Sequence, residues 1–461
     1  MKNYNLYYLS MIVLVSAMGG LLFGYDWVVI GGAKPFYEPF FGITDSPGLQ
    51  GWAMSSALIG CILGVGVSGR FSAAFGRRRL LIFSALLFLA SAVGTGAVSD
   101  YTWFILYRIL GGIGIGIASN VSPMYIAEVS PASFRGRFVS INQLTIVLGI
   151  LMAQTANWLI ADDVLQGAGT EVIRASWNGQ WGWRWMFWAE VVPALLFFLL
   201  MFFVPESPRW LAGKGHYDRA GNVFARIGGQ DFARKELDEV KVSLSRVEEK
   251  GTLRDLWHPR FRSVIIIGVV LAVFQQWCGI NVIFNYAQEV FAAAGYEVSD
   301  ILMNIVVTGV TNVIFTFVGI YTVDRLGRRA LMLFGAIGLT LIYSAMGAGY
   351  FFSVSGVPML VLVVLAIACY AMSLAPVTWV VLSEIFPNKI RGVAMALSTF
   401  ALWSACSVLT YSFPFLNKGL GAHGTFWLYG LICLAGAVFV WKKLPETKGK
   451  TLEQLEKDLC A

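Results

Sequence analysis

Three charged side chains lie inside long apolar stretches of this sequence. Asp26 falls within the stretch 18–32, Arg108 falls within 107–128, and Glu190 stands in the run WMFWAEVVPALLF. A charge at such a depth in lipid costs several kcal/mol and persists only when it is paired or faces a polar cavity. Asp26 and Arg108 have opposite charges, so we expect them to pair. A static pair would only fix helix packing; a pair that faces a cavity indicates a protein that moves something across a membrane.

A second group of polar side chains is neutral. Gln275, Gln276 and Asn281 bracket Gly279 within another apolar stretch. Side-chain amides both donate and accept hydrogen bonds without carrying charge, which suits a ligand with many hydroxyl groups. Each amide alone could equally form a hydrogen bond between helices, but the cluster favours a ligand site. We expect the Gly-Ile-Asn step to interrupt a helix and expose polar groups to a cavity.

The composition requires that lipid solvates most of this chain. Of its 461 residues, 57% are hydrophobic and 13% are charged, whereas soluble domains have about 45–50% apolar and about 25% charged residues. The apolar runs are of helix-spanning length and number roughly twelve. The sequence therefore predicts an all-α membrane protein with twelve transmembrane helices. The runs are too long and too continuously apolar for a β-barrel.

Basic residues occur mainly in every second loop between the apolar runs, and few basic residues, such as Lys34, occur in the other loops. This is the positive-inside pattern, and it predicts a multi-pass protein with both termini in the cytoplasm. The net charge of +7 then reflects membrane topology, and we expect no nucleic-acid partner. The cysteines form no close pairs and no metal-type spacing. Nor does the sequence contain an acid/base pair or nucleophile motif, so we expect no catalytic residues, metal, cofactor or enzymatic activity.

Three motifs occur twice, in the same order. GRR at 76–78 recurs at 327–329, E-x-x-P-x-x-x-R-G at 128–136 recurs at 384–392, and PESPR at 205–209 is matched by PETKG at 445–449. The offsets are similar: 327 − 76 = 251, 384 − 128 = 256 and 445 − 205 = 240. Such regularity indicates a duplicated six-helix unit, which is typical of transporters that work by alternating access.

This repeat predicts the domain organisation. We expect two pseudo-symmetric six-helix bundles, at 1–204 and 263–444. The polar stretch 205–262 between them has helical periodicity and predicts short cytoplasmic linker helices. Residues 445–461 form a cytoplasmic tail.

The repeated motifs place acidic and basic residues at the predicted cytoplasmic helix ends. Ion pairs there could close the inner face, although arginines alone would also serve to fix topology. The acidic residues are not needed for topology, and they favour a gate. The predicted gating residues are Glu128, Arg135, Arg78, Glu206, Glu384, Arg391, Arg329, Asp324 and Glu446.

Taken together, the pattern R-x-x-x-G-x-G-x-G at 108–116, the GRR loops, PESPR, PETKG and QQ-x-x-GIN at 275–281 resemble the sugar porter family of the major facilitator superfamily. The nearest resemblance is to its bacterial xylose–proton symporters, and it covers nearly the whole chain. It implies the major facilitator fold and a proton-coupled importer of a monosaccharide, a pentose or hexose, in the bacterial inner membrane. The partners would be the sugar, a proton and the lipid bilayer, with the protein functional as a monomer.

The resemblance also assigns residues. It implies that Asp26 titrates, that Arg108 pairs with it and that Glu190 tunes the pair. For the sugar it adds ligands and cavity-lining residues to the amide cluster: Gln143, Asn312, Trp379, Phe23, Tyr286 and Trp403.

Some positions depart from that family pattern. Leu402 and Ile150 stand where the xylose symporters have glutamines, which puts xylose itself in doubt. Lys34, expected near the outer mouth, hints at an anionic or modified sugar, although a lysine at a helix end is more often an anchor at the membrane interface. The alternative functions are an uncoupled carrier of a sugar or a polyol such as inositol, a non-transporting sugar sensor and, least favoured, a membrane enzyme.

Overall fold

The structure is a computed structural model that describes residues 4–131, 134–164, 167–245, 256, 258–387 and 390–448. Within these residues the chain is helical and contains no strand. The helices before the linker are α1 Leu6–Phe41, α2 Pro47–Phe75, α3 Arg77–Ala97, α4 Tyr101–Val129, α5 Arg135–Ile160, α6 Thr170–Ala175, a π-helix Asn178–Gly182, α7 Trp183–Trp188 and α8 Val191–Leu200. The linker contains α9 Pro208–Gly213 and α10 Tyr217–Ser245. The helices that follow are α11 Pro259–Trp277, α12 Ile280–Asn285, α13 Ala287–Ala293, α14 Val298–Leu326, α15 Arg328–Phe351, α16 Val357–Met372, α17 Leu374–Ile385 and α18 Arg391–Lys443.

Eleven helical segments in the described residues are long and apolar enough to cross a membrane. The longest, α18, has 53 residues and is two helices, because Gly421 between them has a non-helical backbone with φ of 67°. Counting its two parts separately gives twelve spans. The predicted all-α membrane architecture with twelve helices is confirmed.

The linker also folds as predicted. The hydroxyl oxygen of Ser207 accepts a hydrogen bond from the backbone N–H of Trp210 at 3.2 Å and so caps α9. Helix α10 changes direction at Gly228 and Gly229, whose backbone is not helical. The described part of the linker therefore consists of short helical pieces.

By internal contacts the chain divides into two compact units. The first unit comprises Met1–Trp27, Ile59–Ala153 and Arg184–Glu248, and the second comprises Val28–Leu58, Gln154–Trp183 and Glu249–Ala461. Helix α1 contributes to both. The bundles at 1–204 and 263–444 stay a prediction.

Within the first unit, glycines let α4 lie against α2. A methyl group added at Gly116 would overlap the carbonyl oxygen of Cys61, and one added at Gly60 would overlap the carbonyl oxygen of Ile109. Membrane helices without large side chains at their interface can approach until their backbones touch. The glycine run around Gly116 is thus a packing surface, and it holds α4, which carries Arg108, at a fixed depth.

This packing gives a matched pair of substitutions. Alanine is a better helix former than glycine by about 1 kcal/mol, so Gly66→Ala in α2, where nothing lies within 4 Å of the added methyl group, should leave the melting temperature unchanged or raise it. Gly116→Ala should lower it, because overpacking costs about 1–3 kcal/mol. Thermal unfolding of both purified variants in detergent measures the difference. A Gly116→Ala protein as stable as Gly66→Ala would contradict the close approach.

Candidate functional site

Asp26 and Arg108 form a buried ion pair within the first unit. Each residue is 1% exposed, and an Arg108 Nη1–H donates to Asp26 Oδ1. Arg108 Nη2 also donates to the backbone oxygen of Asp26 at 3.2 Å, and the guanidinium lies 5.6 Å from the ring centroid of Phe187. The pairing predicted from the two apolar stretches is present in the structure.

The pair is incompletely satisfied. Among the residues that the structure describes, Asp26 Oδ2 and Arg108 Nε have no hydrogen-bond partner, although both are buried. A methyl group at Gly111 would lie 2.7 Å from Asp26 Oδ2, so this glycine leaves room beside the carboxylate. Buried polar atoms without partners carry a free-energy cost of about 1–3 kcal/mol, and they leave this site able to accept a proton or another donor.

Glu190 adds a second acid to the pair. It is 1% exposed, stands at the start of α8 and interacts electrostatically with both Asp26 and Arg108. Its Oε1 is buried without a hydrogen-bond partner among the described residues. The cluster therefore contains one cation and two carboxylates.

The predicted amide cluster forms a chain of hydrogen bonds within the second unit. Gln275 Nε2 donates to the hydroxyl of Tyr370 at 3.0 Å, and Gln276 Nε2 donates to Gln275 Oε1 at 2.6 Å. Asn281 Nδ2 donates to Gln276 Oε1. A ligand hydroxyl can join this chain by replacing one of its amide partners, because every amide in it both donates and accepts.

The helix break beside these amides lies where it was predicted, although Gln275 and Gln276 are 4% and 8% exposed. Helix α11 ends at Trp277, and Gly279 has a left-handed backbone with φ of 86° before α12 begins at Ile280. Glycine adopts this conformation without the steric cost that other residues incur. The expected interruption at the Gly-Ile-Asn step is confirmed.

The other predicted sugar-binding residues are buried or half-buried in both units. In the second unit, Asn312 and Trp403 are buried, Trp379 is half-buried, and the Tyr286 hydroxyl donates to the Thr410 backbone oxygen at 2.6 Å.

Gln143 and Phe23 belong to the first unit and are half-buried. The two positions that depart from the family pattern, Leu402 and Ile150, are buried apolar side chains. The sugar role of all these residues stays a prediction.

The repeated motifs form the same hydrogen-bond network in each unit. In the first, Arg77 pairs with Glu128 through two nitrogens, with Nη2 to Oε1 at 2.8 Å and Nε to Oε2 at 2.9 Å. Ser207 Oγ donates to Glu128 Oε2 at 2.5 Å. Glu206 Oε1 accepts from the backbone N–H groups of Arg77 and Arg78 at 2.9 and 3.1 Å.

In the second unit, Arg328 Nη2 donates to Glu384 Oε1 at 3.0 Å, and Thr447 Oγ1 donates to Glu384 Oε2 at 2.6 Å. Glu446 accepts from the backbone N–H groups of Arg328 and Arg329 at 2.9 and 3.1 Å. The structure therefore joins the three motifs of each repeat into one cluster.

The sequence did not identify which arginines pair. Arg77 and Arg328 hold the carboxylates. Their predicted neighbours Arg78 and Arg329 donate instead to the backbone oxygens of Phe202 and Trp441, each at 2.6 Å.

Two further predicted gating arginines also bind backbone oxygens. Arg135 Nε donates to Ala127 O and Arg391 Nε to Phe386 O, both at 3.1 Å. The side chain of Asp324 lies outside the part of the structure that is described. A gating role for these residues stays a prediction.

Lys34 is not an exposed lysine at an outer mouth, as its position suggested. It is 2% exposed, and its ammonium contacts two carboxylates, Glu38 Oε1 at 2.9 Å and that of Glu289. Its charge is already compensated by these carboxylates, so its contacts give no support to an anionic sugar. Glu289 is 255 residues away in sequence, a tertiary contact that no local pattern reveals.

Comparisons with known proteins find similarity over nearly the whole chain. The family profile described as sugar (and other) transporters matches residues 12–459. The D-xylose-proton symporter of Escherichia coli strain K12 is 41% identical over 98% of this chain and 96% of its own length. The arabinose-proton symporter of Bacillus subtilis is 36% identical over 99% and 96%. Among solved structures, the inward-open conformation of the xylose transporter XylE from E. coli gives a TM-score of 0.85 at 38% identity, covering 98% of this chain and 100% of that one.

The Glu446 carboxylate generates a prediction about stability and pH. Burial raises its pKa, but hydrogen bonds from the backbone N–H groups of four residues outweigh burial and hold the pKa below its usual value of 4.5; these residues are Lys448, Arg328, Arg329 and Thr447. The ionised form therefore stabilises the fold above that usual value, and this contribution is lost as the pH falls through the folded-state pKa.

Glu446→Gln should lower the free energy of unfolding at pH 7 by up to about 1 kcal/mol, since it weakens the charge-assisted hydrogen bonds that the carboxylate accepts from these backbone N–H groups; partial exposure keeps the effect small. The deficit should shrink as the pH falls below about 4.5. Glu297→Gln is the control, because Glu297 stands at the start of α14 and makes no capping hydrogen bond. Thermal unfolding from pH 7 to pH 4 measures both. Equal losses for the two variants would contradict the assignment.

Proposed function

Because the chain belongs to the family of sugar (and other) transporters, we propose that it imports a monosaccharide together with a proton. It works by alternating access as a monomer in the bacterial inner membrane, with both termini in the cytoplasm. The relatives named above carry xylose or arabinose with a proton, and a pentose or hexose is the substrate class that we assign to this chain.

The observation that carries the proposal is the composition of the Asp26 cluster. With every group ionised, Arg108, Asp26 and Glu190 have a net charge of −1, and each is about 99% buried. An uncompensated charge in such surroundings costs several kcal/mol, so binding one proton is favourable. When conformational change admits water to the cluster, the proton can leave. Asp26 is the coupling acid, since its unpartnered Oδ2 already has room, and Glu190 tunes the pair.

The amide chain supplies the sugar site. Gln276 and Asn281 flank the helix break, and their amides offer donors and acceptors to ring hydroxyls. Trp379 stacks on the C–H face of the sugar ring, an apolar surface that suits an aromatic side chain. The remaining contacts come from Gln275, Gln143, Asn312, Phe23, Tyr286 and Trp403.

The two apolar positions limit the substrate. Leu402 and Ile150 are buried and offer no hydrogen bonds. A site built to hold a hydroxyl loses selectivity when its polar partner is absent. We therefore assign the site to monosaccharides as a class. A polyol such as inositol is the second candidate, because an apolar side chain at either position does not reject an additional ring carbon.

The repeated ion-pair clusters act on the cytoplasmic side. The ion pairs of Glu128 with Arg77 and of Glu384 with Arg328 each join two helix ends. The hydroxyls of Ser207 and Thr447 connect the segment that follows to the same carboxylates. We assign these clusters to closing the inner face, with Glu206, Glu446, Arg135, Arg391 and Asp324 in support.

A labelled-uptake panel tests the substrate class. Cells or proteoliposomes that contain the protein receive D-xylose, L-arabinose, D-glucose, a deoxyhexose, a uronate and myo-inositol, with and without a protonophore. We expect at least tenfold more accumulation of one neutral pentose or hexose than of the uronate, since the Lys34 charge is compensated, and we expect the protonophore to abolish the accumulation. Preferred uptake of the uronate, or of inositol without sensitivity to the protonophore, would contradict the proposal.

Substitution of the coupling acid separates coupling from binding. Asp26→Asn keeps the side-chain size and removes the titration, so it should abolish uphill uptake and leave exchange of labelled for unlabelled sugar within about twofold of wild type. Asp163→Asn, in an exposed loop position, serves as the matched control and should leave both activities unchanged. If the Asp26→Asn protein still concentrates sugar, Asp26 does not couple transport to protons.

A further inference from the structure

Lys34 belongs to a second buried charge cluster that the proposed mechanism does not use. The side chains of Lys34, Glu38 and Glu289 are 2%, 6% and 23% exposed. Lys34 Nζ also lies 5.6 Å from the ring centroid of Tyr286. All of these residues lie within the second unit.

This cluster repeats the charge composition of the Asp26 cluster. It contains one cation and two carboxylates, so it has a net charge of −1 when every group is ionised. Lys34 and Glu38 lie in the membrane-spanning helix α1, where an uncompensated charge is costly. One bound proton makes the cluster neutral, as one proton does for Arg108, Asp26 and Glu190.

The surroundings favour Glu38 as the group that takes the proton. Glu289 lines a cavity of about 320 Å³ and its side chain is 23% exposed, whereas that of Glu38 is 6% exposed. Burial therefore disfavours the ionised form of Glu38 more strongly than that of Glu289. Glu289 Oε2 is itself buried without a hydrogen-bond partner among the described residues, so it too can accept a proton. Gln50 Nε2 donates to Glu38 Oε2 at 3.0 Å and to the backbone oxygen of Thr44 at 2.8 Å, so α2 contributes a neutral amide to the site.

The other titratable groups around the cluster do not change its net charge of −1. Asp45 and Lys418 line the same cavity with opposite charges. Tyr286 donates its hydroxyl proton to Thr410 O at 2.6 Å and is therefore neutral. In the part of the chain that the structure describes, Lys34 is the cation paired with both carboxylates.

We propose that Glu38 and Glu289 share one exchangeable proton beside Lys34, and that this proton sets a pH dependence of sugar exchange separate from that of Asp26. The proposal rests on the proposed transport function. When Glu38 is protonated, the ammonium of Lys34 forms an ion pair with Glu289 alone, and this pair holds α13 against α1. When the proton leaves, both carboxylates compete for one ammonium and the ion pair weakens.

The backbone connects this ion pair to the amide cluster. Helix α13 is joined to α12 through Tyr286, whose φ of −120° and ψ of 33° are not helical. Helix α12 in turn carries Asn281. A short helix between non-helical joints depends on its few tertiary contacts for its position, and the Lys34–Glu289 pair is one of them. The effect of losing the proton is therefore transmitted through α13 and α12 to Asn281 at the sugar site.

The test begins in the Asp26→Asn background. In that variant the charges of Arg108 and Glu190 cancel, so the Asp26 cluster no longer has an excess negative charge. The Lys34 cluster still has one more carboxylate than cations. Infrared difference spectra of the purified protein between about pH 6 and pH 9, a range in which ordinary carboxylates stay ionised, should show one protonated carboxylic acid that loses its proton. Adding Glu38→Gln or Glu289→Gln should each abolish this band, because each leaves one cation and one acid. Glu171→Gln, at an exposed position on α6, should leave it intact.

Exchange of labelled sugar gives the functional readout in the same proteins. In Asp26→Asn, exchange of the sugar selected by the panel should fall severalfold across this pH range, and in Asp26→Asn with Glu38→Gln it should be flat. A spectrum without a titrating acid in Asp26→Asn, or a band that survives either Gln substitution, would overturn the proposal. The infrared measurement needs no transport, so its outcome is independent of whether the protein proves to be a symporter.

Discussion

The need to compensate buried charge governs this molecule. Asp26 and Arg108 lie in helices that must cross lipid, and neither charge could persist there alone. Their pairing fixes α1 against α4, and the second acid, Glu190, leaves the cluster one proton short of neutrality. A stable anchor would gain nothing from that excess acid. A protein that couples the movement of a solute to that of a proton requires a group whose protonation changes with its surroundings.

Glycines position this charge cluster in the first unit and form the amide cluster in the second. Glycines such as Gly116 let α4 approach α2 closely and so hold Arg108 at its depth in the bundle. Gly279 breaks α11 from α12 and turns an otherwise apolar span into a chain of hydrogen-bonded amides. The two clusters therefore differ in chemistry: one consists of titratable groups and the other of neutral amides.

Much of this arrangement follows from the sequence, because lipid allows few alternatives. Apolar runs, isolated charges and glycine were enough to predict four features: the Asp26–Arg108 pair, the helix break at Gly279, the twelve spans and the linker helices. The pairing of Glu128 with Arg77 rather than with Arg78 or Arg135 was not, since adjacent arginines at a helix start differ only in their direction around the helix. Lys34 and Glu38 stand four residues apart, a spacing that favours an ion pair in a helix, but the contact with Glu289 depends on tertiary packing. That contact makes Lys34 a compensated charge, which its position in the sequence did not indicate.

Proton movement driven by sugar alone tests the central claim most directly. Proteoliposomes with a pH-sensitive dye inside, and no initial pH gradient or membrane potential, receive an inward gradient of the transported sugar. Coupling through the Asp26 cluster predicts that the lumen acidifies as the sugar enters, and that a membrane-permeant buffer prevents the change. Sugar that equilibrates across the membrane without any change in luminal pH would contradict the account.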